Sequence, residues 1–537
     1  MPMVKIHLIN NGQIIDCEAD ANLYEVLSTA GLMDAPCGGT GLCGKCKVRI
    51  DSPQPIATDD IENFFTPDEI ACGWRLACLC QVESDMSVDL PQQFAMTNII
   101  SQGYMKEFVH APAYLANTGG QSRPPKDNSS ATAYGVAIDI GTTTVVATLV
   151  DMEQGREIES LACLNGQNVF GQDVMTRIHY AGSHSRGTEI LQKTIIKDLS
   201  ILINELCRRH NLSADHIYDV CVGANTTIVH LLAGIDPASM GQAPYLPAFQ
   251  GALSLNGRDL GLPVASACSV YCLPAVSSYV GGDITGGLMA CGLEEAKENT
   301  LFIDIGTNGE IVLADGEAFY ACSCAAGPAL EGMNISCGVR AAPGAIEDVV
   351  IVGDRIEYTT IDDEPANGIC GSGLLAAIAE MRRAGIIHKS GRLQSHSRVE
   401  TTAGKRRFVI DAERNIYLTQ QDIRQVQLAK GAILSGIYAL LNQTGMKPDE
   451  LARVIVAGQF GAHLKADSLV GSGLLPSEWG RIITYAGNTS KSGALICLLS
   501  QPERSLIENL ARNIRYIELS ILEGYADLFV KYMQFAP

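Results

Sequence analysis

Apolar residues in this chain fall into short runs that stop at aspartate, glycine and threonine. Leu301–Leu313 (LFIDIGTNGEIVL) sets the pattern. Leu, Phe and Ile run to Asp304, the chain turns through Gly306, Thr307, Asn308 and Gly309, and Ile311, Val312 and Leu313 resume the run. Such runs bounded by turn residues predict a β-hairpin with a carboxylate at its mouth. Tyr134–Val150 (YGVAIDIGTTTVVATLV) repeats the design, with Asp139 ahead of Gly141, Thr142 and Thr143. Two such hairpins predict two related halves closing on one ligand.

Elsewhere the period changes. Residues 4–18 alternate apolar and polar around Asn10-Asn11-Gly12, which predicts another hairpin. Asn22–Ala30 has helical spacing, with Asn22 placed to cap it. Lys47–Ile50 and Ser87–Leu90 read as strands closing a first domain over 1–92. Residues 93–133 are less regular, and Asn117–Ala133 is rich in Gly, Ser, Pro and Asn, so a flexible linker is predicted. A second domain over 134–537 follows. Gly187–Arg209 and Leu418–Leu441 predict long helices. Val220–His230, Asn367–Leu375, Val454–Leu464 and Tyr485–Leu498 each read as a strand or strand end, a small-residue turn and a helix start. Units of that kind set ligands against helix N-termini at the carboxyl ends of strands. In Leu273–Leu288, Gly281, Gly282 and Asp283 precede a small-residue helix. Close helix packing and catalysis both account for them. Cys322–Gly332 is too rich in Gly and Ala for a long strand, and 499–537 reads as terminal helix and strand.

With 537 residues, 47% of them apolar, the chain is globular and long enough for several domains. No stretch approaches eighteen consecutive apolar residues, and MPMVKIHLINNG lacks a signal-peptide layout, so a cytoplasmic protein without a membrane span is expected. The net charge of −20 repels nucleic acid and anionic membrane. Eighteen cysteines without a secretion signal predict metal ligands and buried thiols in a reducing, anaerobic setting.

Three cysteines, Cys37, Cys43 and Cys46, share a loop with four glycines, and Cys78 or Cys80 completes a set of four. Four thiolates hold zinc or a [2Fe–2S] cluster. Structural zinc favours two paired knuckles, and only Cys43–Cys46 forms such a pair. Three loop cysteines plus a distant one follow the ferredoxin layout, in which glycine amides aim at the sulfurs. Cys17, Cys72, Cys322 and Cys324 read as buried thiols. In the two Asp-Ile-Gly-Thr hairpins, glycine allows close backbone approach to phosphate, hydroxyls and amides supply donors, and the carboxylates suit hydrated Mg²⁺.

The cysteine loop, with five residues in its first gap, resembles adrenodoxin-type [2Fe–2S] ferredoxins, in which Arg75-Leu-Ala-Cys78 brings the fourth ligand. Asp139-Ile-Gly-Thr, Asp304-Ile-Gly-Thr-Asn-Gly-Glu310 and Val454-Ile-Val-Ala-Gly-Gln-Phe-Gly461 resemble the two phosphate motifs and the adenosine motif of the actin/Hsp70/sugar kinase superfamily. Gly282-Asp283 and Tyr485–Ala494 resemble its connecting segments. The implied fold is an α+β β-grasp ferredoxin domain, then two ribonuclease-H-like α/β halves. Asp139 and Asp304 would position Mg²⁺, and Asp283 or Glu310 would orient the attacking water. Gly141, Thr142, Thr143, Gly306, Thr307 and Asn308 would meet the phosphates of ATP, and Gly458 and Gly461 the adenosine.

The fusion resembles the ATP-dependent reductive activators of corrinoid proteins. That resemblance implies one-electron reduction of Co(II) corrinoid to Co(I) in a methyltransferase system, a low-potential electron donor and a homodimer. A small-molecule kinase, an electron-transfer activator of a dehydratase and an ATP-gated module with structural zinc are the alternatives.

Overall fold

The computed structural model describes residues 2–9, 12–30, 32–33, 46–52, 64–65, 67–90, 103–113, 132–402, 404–458 and 464–535. Strands β1 (Met3–Leu8) and β2 (Ile14–Glu18) pair antiparallel, as the alternation requires: Val4, Ile6 and Leu8 are buried and their neighbours exposed. Helix α1 (Leu23–Thr29) begins at Asn22, whose side chain accepts from the amides of Tyr24 and Glu25. With β3 (Lys47–Ser52), β4 (Trp74–Leu76) and β5 (Met86–Asp89), the sheet order is β2-β1-β5-β3-β4. Leu23, Tyr24 and Leu27 of α1 pack in this domain's own core.

Beyond residue 132 the chain builds two six-stranded sheets. The first contains β6 (Tyr134–Ile140), β7 (Thr144–Asp151), β8 (Arg156–Leu164), β9 (Ile217–Ala224), β10 (Gly251–Asn256) and β11 (Ser269–Ala275). Its order is β8-β7-β6-β9-β11-β10. Against it lie α2 (Gly187–Arg209) and α3 (Thr226–Ala233), and α4 (Gly282–Ala290) leaves it. The second contains β12 (Thr300–Ile305), β13 (Gly309–Ala314), β14 (Phe319–Cys324), β15 (Arg453–Ala457), β16 (Ile483–Gly487) and β17 (Ile514–Tyr516). Its order is β16-β15-β12-β13-β14-β17. In each half an antiparallel meander of three strands continues into two parallel strands. The repeat expected from two similar hairpins is therefore a repeat of topology. It places both hairpin turns at corresponding ends of their sheets.

Helix α5 (Gly371–Arg383) packs on the small sheet that begins at Ala345, α6 (Gln420–Thr444) covers the second six-stranded sheet, and two small sheets between residues 345 and 419 extend this half. Helix α7 (Thr489–Leu499) crosses α4 between the halves, and α8 (Gln501–Asn513) follows. Thus 499–537 holds more than one helix and a strand, since Tyr525–Met533 is also helical. Among the described residues no helix is long and apolar enough to cross a membrane.

Part of the expected linker is fixed. Residues 103–113 run along the crossing helices: the Tyr104 amide donates to the Ala486 carbonyl at 2.7 Å, and the Lys106 amide to that of Ala290 at 2.9 Å. The Lys106 ammonium pairs with Glu294 and, at 2.8 Å, with Glu503. This stretch carries Tyr104, Met105, Phe108 and Val109, unlike the Gly/Ser/Pro composition of 117–133, and Phe108 packs on an apolar cluster between the halves.

Candidate active site

The two hairpins open into one cleft of about 390 Å³ between the halves. Asp139, Gly141, Thr142 and Thr143 line it from the β6–β7 hairpin; Asp304, Gly306, Thr307, Asn308 and Glu310 line it from β12–β13. Asp283 enters from the first turn of α4, and Gly458 from the end of β15. Gly458 sits at φ +99°, where a Cβ would lie 2.7 Å from the Ile305 carbonyl oxygen and 2.8 Å from Asp304 Oδ1. Only glycine fits there without strain. Gly461, the other expected adenosine glycine, lies outside the described residues.

The first hairpin turn is gripped from behind. Asn165 Nδ2 donates to the Gly141 carbonyl at 2.9 Å and Asn168 Nδ2 to that of Thr143 at 3.2 Å. The fully buried Arg177 guanidinium donates to the Thr142 carbonyl. With those carbonyls engaged, the turn holds a fixed shape before any ligand arrives, which lowers the ordering cost of binding. Asn225 caps α3 through Oδ1, at 2.9 Å from the Ile228 amide, and its Nδ2 lies 3.5 Å from Thr142 Oγ1.

Asp139 is held more tightly than an isolated metal ligand would be. Its two oxygens accept from Ser490 Oγ at 2.7 Å and Asn488 Nδ2 at 2.8 Å, both at the start of α7. A carboxylate of the first half is thereby joined to the second connecting helix. Asp304 stands opposite Glu310 in the β12–β13 register, an unfavourable pairing of like charges that a purely structural hairpin would avoid.

Burial dominates the acidities. It raises Asp139 even though Ser490 and Asn488 oppose it. Burial also pushes Asp283 up to about 7, with Asp139 adding to the effect. Asp304 is likewise raised to about 7, by burial and then by repulsion from Asp283 and Asp139. Glu310 lies well above the usual range through burial next to Asp283 and Asp304. So many carboxyls in one cleft call for a counter-ion; among the described residues no three of them form a metal-holding group, so Mg²⁺ would be held by one or two of these carboxylates together with the polyphosphate that carries it in.

Glu331 escaped the sequence reading. It ends the 3-10 turn Pro328–Glu331 and reaches into the cleft beside Arg340. The available signal is a lone acid, Glu331, in the small-residue run CSCAAGPALEG. The cysteines of that run are buried thiols, with Cys322 and Cys324 on β14.

In the first domain, Cys46 and Cys78 bring their sulfurs to 3.1 Å, beyond disulfide length and close enough to share one iron. Asn22, the cap of α1, donates through Nδ2 to the Cys78 carbonyl at 2.9 Å, anchoring this segment. Cys80 turns away: its thiol donates to the Leu76 carbonyl at 3.3 Å, and burial pushes its pKa up to about 12. A thiol so reluctant to ionise is a poor ligand. The paired sulfurs therefore fit a four-thiolate cluster site. Cys37 and Cys43 lie outside the described residues. Cys17 is buried as expected, but Cys72 is exposed, beside the turn at Gly73.

A ferredoxin domain joined to a two-half ATPase of the actin/Hsp70/sugar kinase type is the class of protein that this fold and these sites define. Residues 6–83 match the 2Fe-2S iron-sulfur cluster binding domain, 134–296 the RACo middle region, and 298–537 the C-terminal domain of RACo, the ASKHA domain. The solved structure of a reductive activator for corrinoid, iron-sulfur protein superposes with a TM-score of 0.72 at 31% identity, over 99% of this chain and 98% of that one. The corrinoid activation enzyme RamQ of Eubacterium limosum is 28% identical over 96% of both chains. A Co(II) methylated amine-specific corrinoid protein reductase of Methanosarcina barkeri is 24% identical over 71% of this chain and 73% of its own. The chain belongs to the RACo family of reductive activators.

Proposed function

We propose that this protein is an ATP-dependent reductive activator of a corrinoid protein in a methyltransferase system, adding one electron to inactive Co(II) corrinoid to regenerate Co(I). The observation that carries the reading is the coexistence, in one chain, of a paired-thiol site at Cys46 and Cys78 and a carboxylate-lined cleft between two repeated halves. Bound by Cys37, Cys43, Cys46 and Cys78, a [2Fe–2S] cluster supplies one-electron chemistry.

Asp139 and Asp304 position Mg²⁺; Gly141, Thr142, Thr143, Gly306, Thr307 and Asn308 hold the phosphates; Gly458 and Gly461 border the adenosine. Asp283, with its carboxyl near 7, suits the base that orients water at neutral pH, and Glu310, raised by burial beside Asp283 and Asp304, is the second candidate for that role. Each 59 mV uphill costs a factor of about ten in a one-electron equilibrium. ATP binding and hydrolysis offset that cost by favouring one arrangement of the halves over another. The electron comes from a low-potential donor in a reducing cytoplasm, and the active unit is a homodimer.

The test is anaerobic visible spectroscopy of a Co(II) corrinoid methyltransferase protein mixed with this protein and a reductant, with and without Mg-ATP. Growth of the Co(I) band only with both supports the reading; unchanged Co(II) across several corrinoid partners overturns it. Asp304→Asn should abolish ATP-dependent reduction and leave the cluster spectrum intact, and retained reduction would remove Asp304 from its role.

A further inference from the structure

One carboxylate spans the cleft. Glu331 Oε1 accepts from Thr307 Oγ1 at 2.8 Å, and Glu331 Oε2 from Thr143 Oγ1 at 3.3 Å. Thr143 belongs to the β6–β7 hairpin of the first half and Thr307 to the β12–β13 hairpin of the second. The two threonines proposed to meet phosphate are therefore tied across the halves through a single side chain. A hydroxyl has one proton to donate, so neither threonine can serve a phosphate oxygen while it serves Glu331.

The segment that presents Glu331 is shaped for the purpose. Gly332, at φ +79°, stops the 3-10 turn, and a Cβ there would lie 2.2 Å from the Val339 carbonyl oxygen. The turn is thus pressed against residues leading directly to Arg340, which lines the same cleft. A phosphate entering between the hairpins meets a carboxylate already in the acceptor position, and like charge drives the two apart.

We propose that Glu331 is an anion-mimicking latch: its carboxylate takes the hydroxyls of Thr143 and Thr307 as a phosphate would, and ATP binding displaces it. The latch rests on the reading of this cleft as the ATP site. Its consequence is that Glu331 acts against nucleotide affinity, as a positioning residue whose release couples ligand arrival to movement of the 328–343 segment.

The experiment is calorimetric titration of Mg-ATP into the full-length protein and its Glu331→Gln and Glu331→Ala variants, with KM and kcat of ATP hydrolysis measured in parallel. Removing the competing acceptor should tighten Mg-ATP binding about tenfold in Glu331→Ala, the factor that about 1.4 kcal/mol supplies, and less in the isosteric Glu331→Gln. KM should fall in both. A residue serving only as scaffold would weaken binding or leave it unchanged when truncated. Unchanged or weaker binding in both variants, each with an intact cluster spectrum, overturns the latch alone. Absence of Mg-ATP binding to the unaltered protein overturns the ATP reading of the cleft and the latch with it.

Discussion

Gly493 of α7 presses on Gly286 of α4 so closely that a Cβ on Gly493 would lie 2.3 Å from the Gly286 Cα. This is where the two halves meet, and the contact is backbone against backbone. Helix α4 packs through its glycines while its first turn brings Asp283 to the cleft. Gly493→Ala should push the crossing apart at a cost of about 1–3 kcal/mol, the usual penalty for overpacking. Urea denaturation followed in the far ultraviolet would register it; an unshifted midpoint would mean that the crossing is soft.

The two candidate fourth cysteines make opposite predictions. Cys78→Ser should remove the visible iron–sulfur absorbance, because the Cys78 sulfur faces that of Cys46. Cys80→Ser should retain it, because that thiol faces the Leu76 carbonyl. Anaerobic reconstitution followed by absorption and electron paramagnetic resonance separates the cases. A colourless Cys80→Ser protein would reverse the assignment.

Asp283 and Asp304 set a pH dependence of stability. Each has its carboxyl near 7 in the cleft, against about 4 in an unfolded chain. Between those values the folded protein holds more protons than the unfolded one. Their contribution is therefore fully present below about pH 4 and is lost as pH rises through about 7. Without metal, the thermal midpoint should be lower at pH 8 than at pH 6 by more in the unaltered protein than in Asp304→Asn. Mg²⁺ should recover more at pH 8, where both carboxylates are free to receive it. Equal recovery at both values would disprove the link.

Lys106 is placed to connect the first domain's tether to the junction of the halves. Its side chain is 15% exposed and its ammonium faces Glu294 and Glu503, whose side chains are 4% and 13% exposed. Lys106→Met strands two nearly buried carboxylates beside each other. A loss approaching the 3–5 kcal/mol of a broken buried pair is expected, partly recovered in Lys106→Met/Glu294→Gln. In the recovered double variant, ATP hydrolysis should persist while ATP-dependent Co(I) formation falls. If both fell in parallel, the strap would have no share in coupling.

Much of this protein was legible from its residues, for local physical reasons. Hairpins at residues 134–151 and 300–314, the cap at Asn22 and the helix over Gly187–Arg209 each depend on neighbours in sequence: apolar period, turn glycines and a capping amide. The tertiary structure decided what depends on residues far apart. It joined Asp139 to Asn488 and Ser490 across some 350 positions, set Glu331 between Thr143 and Thr307, and turned Cys78 toward Cys46 and Cys80 away. It also bound 103–113 to the crossing helices, because Phe108 and Lys106 find partners there that no local pattern announces. Periodicity reports which face of an element is buried; only the packing of one element on another determines which charge a buried carboxylate will face.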